Sequence, residues 1–352
     1  MIDGAINADE WREATRITGL ATVYSTAFYG RPHAFYVGWD RDHLYIAGRA
    51  HILKGHKLLK TRREKYTTSV VFDDSFEFGV DLLGRNTPPN EAPSFFKFII
   101  NYLGSGEYLK MYPSIGQYLY NWRPEIAKAS RLTETPDGQF WELEMALDLN
   151  DLQMPAPNKA GDKIRLLTAT DLKNPGWQWV CVPSSTGYLE PYGYPLVTLT
   201  ADKPYVQVEK LDGLHDEKVD LKTVIRNPSA QPVKVKAVLQ VRNEGQVAKV
   251  GTTNVVVNEE RVLDLPANGE VRFDVAKDLP GLDYRNEGHP KYNQMAGVFD
   301  FTVTLADAAG ADPVCRYYLD FRKDEAKDYL KYTPSTEPFR TETTFNAVRC
   351  TL

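Results

Sequence analysis

Every one of the six tryptophans in this 352-residue chain falls within the first 179 residues, among 20 tyrosines and 15 phenylalanines. An indole suits one kind of chemistry well: its π face meets the polarised C–H groups of a pyranose ring. Trp177 and Trp179 lie two apart on an apparent strand. Both therefore project to one sheet face, which serves a stacking platform or a core. Trp122 stands in the aromatic segment Tyr118-Leu119-Tyr120-Asn121-Trp122-Arg123-Pro124. A loop ring beside the Arg123 guanidinium makes a candidate surface platform. Trp11, Trp39 and Trp141 occupy positions on or next to strands and are expected in the core.

Carboxylates form a second candidate. Asp73, Asp74, Glu77 and Asp81 cluster in sequence, and calcium prefers several oxygen ligands. Glu77 and Asp81 share one face of a strand while Asp74 faces the other. The expected calcium ligands are therefore Asp3, Asp73 and Asp74; the alternative is a solvated turn of ordinary carboxylates. Glu142 and Glu144 also share a strand face, and such a pair could serve a glycoside hydrolase or lyase or be salt-bridged. No nucleophile elbow, P-loop, metalloprotease helix or dinucleotide fingerprint occurs. The run from 49 to 65 is basic, with Arg49, Lys54, Lys57, Lys60, Arg62, Arg63 and Lys65 opposed only by Glu64. Such a run is usually a solvated face; its functional alternative is attraction to an anionic polysaccharide. His51 and His56 are five apart, which does not suit a metal pair on one helix face.

The elements that must position these groups are strands. Residues 34–39 and 44–47 flank a polar turn and read as a hairpin. Further strands are expected at 68–72, 76–82, 95–101, 140–146, 163–169, 177–182 and 196–200, separated by Pro-, Gly- and Asn-rich turns. The best helix candidate is near 52–65, with short helical turns open near 9–15 and 147–152. Beyond residue 203 tryptophan is absent, and seven strands are expected at 205–211, 218–226, 233–242, 247–257, 270–275, 298–305 and 316–321. Seven strands over some 120 residues is the arithmetic of an immunoglobulin-like sandwich. The fold class is all-β: two β-sandwich domains, at 1–203 and 204–323, with 324–352 a C-terminal extension or the start of a linker. With 42 Lys and Arg against 47 Asp and Glu, the net charge is −5, which gives no bulk attraction to nucleic acid or anionic membrane. No apolar run spans a bilayer. Cys181, Cys315 and Cys350 give an odd count without metal spacing and are expected as ordinary thiols.

Taken in order, several short motifs resemble the family 9 carbohydrate-binding modules over about residues 2–200. They are Ile2-Asp3-Gly4, Glu10-Trp11, Trp39-Asp40, Asp42-His43-Leu44-Tyr45-Ile46-Ala47, Asp73-Asp74-Ser75-Phe76-Glu77, Trp141-Glu142-Leu143-Glu144 and Tyr192-Gly193. The resemblance implies a β-sandwich that binds glycan without catalysis, with two Trp rings clamping a sugar and calcium supporting the structure. The first clamp position falls at Val71 or Phe72, and neither is Trp. For the second, Trp177 and Trp179 come somewhat early, and Tyr188 and Tyr192 lie closer to its place. The expected glycan contacts are thus Trp122, Arg123, Trp177, Trp179, Tyr188 and Tyr192. The expected role is targeting or anchoring a larger polysaccharide-degrading protein, extracellular or periplasmic, although the N-terminus lacks a signal segment and the cytoplasm stays open. Structural spacer or protein-interaction module is the first alternative, and a hydrolase or lyase domain the second.

Overall fold

The computed structural model describes residues 2–7, 9–22, 28, 31–52, 55, 57–82, 95–112, 117–136, 138–150, 152, 158–173, 178–182, 188–189, 191–216, 218–243, 254–279, 297–307, 313–321 and 343–350. In chain order the strands are β1 (Thr15–Thr18), β2 (Ala21–Thr22), β3 (Ala34–Trp39), β4 (His43–Ile52), β5 (Ser75–Asp81), β6 (Phe95–Asn101) and β7 (Gly106–Tyr112). Next come β8 (Gln117–Leu119), β9 (Ala127–Thr135), β10 (Gly138–Asp148), β11 (Lys163–Leu172), β12 (Gln178–Cys181), β13 (Leu196–Thr200) and β14 (Tyr205–Asp212). β15 (Lys218–Arg226), β16 (Val233–Asn243), β17 (Asn254–Leu265), β18 (Glu270–Asp278), β19 (Gly297–Leu305), β20 (Cys315–Phe321) and β21 (Thr344–Arg349) complete the order. The protein is an all-β sandwich fold.

In the N-terminal half one antiparallel sheet runs β9-β10-β4-β3-β1. The facing sheet runs β8-β7-β6-β5-β11, with β12 and β13 sharing the far edge of β11. Alternation explains the packing: Phe76, Phe78 and Val80 of β5 point inward. Phe76 meets Trp141 of the opposite sheet at 4.5 Å between ring centroids, and Phe35 at 6.1 Å. In the C-terminal half β14-β15-β18 faces β17-β16-β19-β20, and Phe273 stacks on Phe301 at 5.4 Å.

The halves share strands. β1 pairs in parallel with β14, Arg16 opposite Gln207. Residues 344–349, within the expected extension, form β21, which lies parallel to β13, touches β20, and takes over the edge of β3 at Gly38 and Trp39. One apolar cluster consequently contains Ile17, Phe76, Phe273 and Phe345 together.

Two expected elements differ. Residues 68–72 form a 3-10 turn, not a strand, because the Thr67 side chain accepts from Ser69 N and Asp73 N donates to Val70 O. In the expected helix near 52–65, residues 57–63 are irregular, since their amides are drawn to aspartates. Among the described residues no helix is long and apolar enough to cross a membrane.

Candidate functional site: a charged face of the second sheet

The outward face of β5, β6, β7 and β11 is not the solvated polar surface that alternation leads one to expect. Register places Ser75 opposite both Asn101 and Asp171, Glu77 opposite Ile99 and Ala169, and Gly79 opposite Lys97; Ile99 in turn faces Glu107. Glu77, Lys97, Glu107 and Asp171 are nonetheless buried. Lys97 Nζ lies 2.8 Å from Glu77 Oε2 and 4.8 Å from the centre of the Tyr188 ring. Asp171 pairs with Lys173. Burial raises the Glu107 carboxyl above its usual range, Lys97 and Arg123 pulling it back and Glu77 adding to the rise. Burial likewise lowers the Lys173 ammonium to about 8, against the pull of Glu77, Asp74 and Asp73. At Gly79 a Cβ would come within 2.8 Å of the Tyr194 ring, so the face needs glycine there to keep its depth.

Two buried oxygens on this face, Ser75 Oγ and Asp171 Oδ1, have no hydrogen-bond partner, and Glu77 Oε2 is met by the Lys97 ammonium alone at 2.8 Å. Buried polar atoms are almost always paired, and an unpaired one costs roughly 1–3 kcal/mol.

The rim is built by Asp73 and Asp74. Asp73 accepts from Thr61 N, Thr61 Oγ1, Arg62 N and Asn101 Nδ2 at 2.7–2.9 Å. Burial would push its carboxyl up, but these donors outweigh that and hold it below the usual range. Asp74 accepts from Leu59 N and Lys173 N at 2.7 and 2.6 Å. Both therefore pin loops onto the sheet, whereas Asp3 is exposed and its N–H donates to Glu144 of the other sheet. The three expected ligands do not come together, and among the described residues no group of three or more His, Cys, Asp or Glu could hold a metal. Immediately before Asp73 stands Phe72, a large ring 58% exposed at the end of the 3-10 turn.

Of the expected glycan contacts, Arg123 and Tyr188 belong to this region. Arg123 acts on Glu107 and lies 5.2 Å from the Tyr66 ring. Trp122 turns the other way. It is half-buried, against Phe96 and Phe98 at 5.3 and 5.7 Å, on the core face of β6. Its expected role as a surface platform is thereby corrected: the core-side rings of β6 occupy its face. Trp179 lies on β12 opposite Asp171, and Tyr192 in a 3-10 turn at Pro191–Gly193; the side chains of both, and Trp177 entirely, lie outside the described residues. Sequence reasoning missed Lys97, Asp171 and Lys173. The signal for the first was a lysine inside the apolar run Phe95–Asn101.

Glu142 and Glu144 do not form a free pair. Glu144 accepts from Trp11 Nε1, Gly4 N and Asp3 N at 2.6, 2.8 and 3.0 Å, and Gly4 reaches this position with φ +87°. Glu142 accepts from Thr133 Oγ1 and faces Arg49 Nε at 3.3 Å. In the basic run, Lys65 pairs with Glu125 at 2.7 Å, and Lys60 lies 4.2 Å from the Tyr102 ring. Cys181, Cys315 and Cys350 are buried thiols outside any disulfide, and burial pushes the Cys315 and Cys350 thiols up to about 12.

No family model matches the chain, and no curated protein matches it. Among solved structures it is similar to a candidate carbohydrate-binding protein from Bacteroides uniformis, at 12% identity over 53% of this chain and 85% of that one, with a TM-score of 0.40. A Bacteroides uniformis β-glucuronidase matches at 10% identity over 91% of this chain and 30% of that one, with a TM-score of 0.21. For a β-D-mannosidase from Dictyoglomus thermophilum the values are 11%, 79%, 29% and 0.21. The chain spans less than a third of either enzyme. Likenesses this distant carry no argument about the site, which rests on the geometry above.

Proposed function

We propose that the chain is a non-catalytic carbohydrate-binding protein whose site is the charged face of β5, β6 and β11. In this reading residues 1–203 are the glycan-binding sandwich and 204–323 its immunoglobulin-like companion. The supporting observation is the buried polar group of Ser75, Asp171 and the Glu77–Lys97 pair, with Ser75 Oγ and Asp171 Oδ1 lacking a partner, together with the exposed Phe72 ring three residues before Ser75 in the chain. A sugar carries both kinds of complement: hydroxyl donors for the oxygens and a C–H face for the ring. Lys97 and Lys173 supply donors for sugar oxygens in return. Catalysis by Glu142 and Glu144 is disfavoured because structural donors already occupy their oxygens. Such binding would hold a larger polysaccharide-degrading protein on its substrate, the role that the family resemblance implies.

A glycan array followed by calorimetry tests the reading. Phe72→Ala is expected to weaken the best glycan about tenfold, the loss of roughly 1–1.5 kcal/mol of stacking, with the unfolding midpoint unchanged. If no glycan binds, or if Phe72→Ala and Glu77→Gln both leave affinity intact, the reading fails.

A further inference from the structure

Away from the charged face, a cavity of about 550 Å³ opens where β1, β3, β4 and β10 meet β14. That volume is in the range of small-molecule sites. Four cations line it, Arg16, Arg31, Arg49 and Lys210, with Phe140 and the buried His33 between them. Burial, His51 and Arg31 lower the His33 imidazole to about 3, so it contributes a neutral ring at ordinary pH. Two carboxylates also line the cavity, but Glu209 is engaged by Arg272 Nη2 at 2.6 Å. The other, Asp212, accepts from Gly213 N at 2.7 Å and lies 3.9 Å from Lys210 Nζ.

Arg16 decides the matter. Its side chain lies over the Tyr36 ring at 5.7 Å and makes one long bond, Nη2 to Glu209 O at 3.4 Å. Its Nε is buried without a hydrogen-bond partner. A guanidinium presents five donors in a rigid fork, so nearly all of this one's capacity is unspent. Across the cavity Arg49 is held 4.2 Å from the Phe140 ring, and its Nε faces Glu142 at 3.3 Å without a well-directed hydrogen bond. Guanidinium forks of this kind match planar oxyanions in bidentate fashion.

We propose that this cavity binds an organic oxyanion, a carboxylate carried on a hydroxylated skeleton of sugar-acid size, with Arg16 as the principal anchor and Arg31 and Arg49 beside it. The carboxylate takes the Arg16 fork, and the skeleton lies against Phe140, with the hydroxyl oxygens of Thr18 and Thr135 as acceptors for its hydroxyls. Both threonine hydroxyls donate to backbone carbonyls, His33 O and Gly138 O, which leaves their lone pairs toward a ligand. This site is separate from the charged sheet face.

The test is calorimetry of the full chain with D-glucuronate, D-glucuronate methyl ester and inorganic sulfate as probes. Glucuronate is expected to bind at least tenfold more tightly than its ester or sulfate. Arg16→Gln should weaken glucuronate at least tenfold and Arg16→Lys less, because lysine keeps the charge and loses the fork. Phe72→Ala should leave glucuronate binding unchanged, which separates this site from the sheet face. Absence of glucuronate binding, equal binding of the ester or of sulfate, or an undiminished Arg16→Gln variant each overturns the proposal. Should Arg16→Gln not fold, Arg31→Gln carries the same test, with the same expected loss.

Discussion

Glu144 and Glu77 are both buried glutamates on sheet strands of the N-terminal half, yet their surroundings differ in kind. Three N–H donors converge on Glu144, one of them the Trp11 indole. They fasten the N-terminal segment to β10. Glu77 is met by one ammonium, Lys97, whose Nζ lies 2.8 Å from its Oε2. A carboxylate surrounded by donors is finished as a structural part. One held only by a point charge, beside two partnerless oxygens, is the one that the proposed glycan would complete.

The largest effect expected from this contrast is on Glu144. Glu144→Gln removes the charge that three donors were built around, and charge-assisted bonds are worth about 1.5–3 kcal/mol each. Unfolding by urea should show a loss of about 2–4 kcal/mol, with glycan affinity of the folded protein unchanged. A loss under about 1 kcal/mol would erase the distinction between the two glutamates.

Glu77 and Lys97 should behave in the opposite way. Replacing a buried ion pair by neutral groups is often neutral or stabilising, because two desolvation penalties vanish. The double variant Glu77→Gln with Lys97→Met is therefore expected to keep or raise the unfolding midpoint while glycan affinity falls at least tenfold. A double variant that unfolds would show that the pair supports the fold in the way Glu144 does.

Trp122 and Phe72 extend the contrast to rings. Trp122→Ala strips a half-buried indole from Phe96 and Phe98 and should cost about 2–3 kcal/mol of stability, read from the urea midpoint, with little change in glycan binding. Phe72→Ala should do the reverse. If Trp122→Ala abolished binding in a folded protein, the ring would belong to the site after all.

Alternation made most of the fold legible. β6 and β13 fall where the residues place them, 95–101 and 196–200, because each strand is bounded by turn chemistry and carries a clear apolar face. β9, Ala127–Thr135, went unread: its residues are half-buried or exposed throughout, so no apolar period marks it. Of β17, expected at 247–257, residues 247–253 lie outside the described ones, and the strand runs on to Leu265 because its middle, Asn258-Glu259-Glu260-Arg261, is a polar stretch held by ion pairs to neighbouring strands. The site was less legible for a geometric reason. Ser75, Lys97, Glu107 and Asp171 come from four strands, and only the sheet register gathers them. No sequence spacing encodes that register. Arg123 and Tyr188 were readable as exposed-loop chemistry, but which side of the sheet Trp122 would take depended on the rings of β6.

The smallest effect concerns Lys173, and its sign separates binding from stability. Burial lowers this ammonium to about 8, against an ordinary value of 10.5. Between those values the unfolded chain holds more protons at this position than the folded one. By linkage, this group's contribution to stability therefore rises with pH through that window and is lost as pH falls through about 8. Glycan affinity should move the other way: as pH rises from 7 to 9 the ammonium loses its charge and a charge-assisted donor to the sugar is lost. A severalfold weakening with a midpoint near 8, seen by calorimetry while the thermal midpoint holds or rises, would place Lys173 at the sugar. Lys173→Arg, which stays charged throughout, should flatten the profile. An affinity independent of pH in the unaltered protein would remove Lys173 from the site and leave Glu77 and Lys97 as its polar centre.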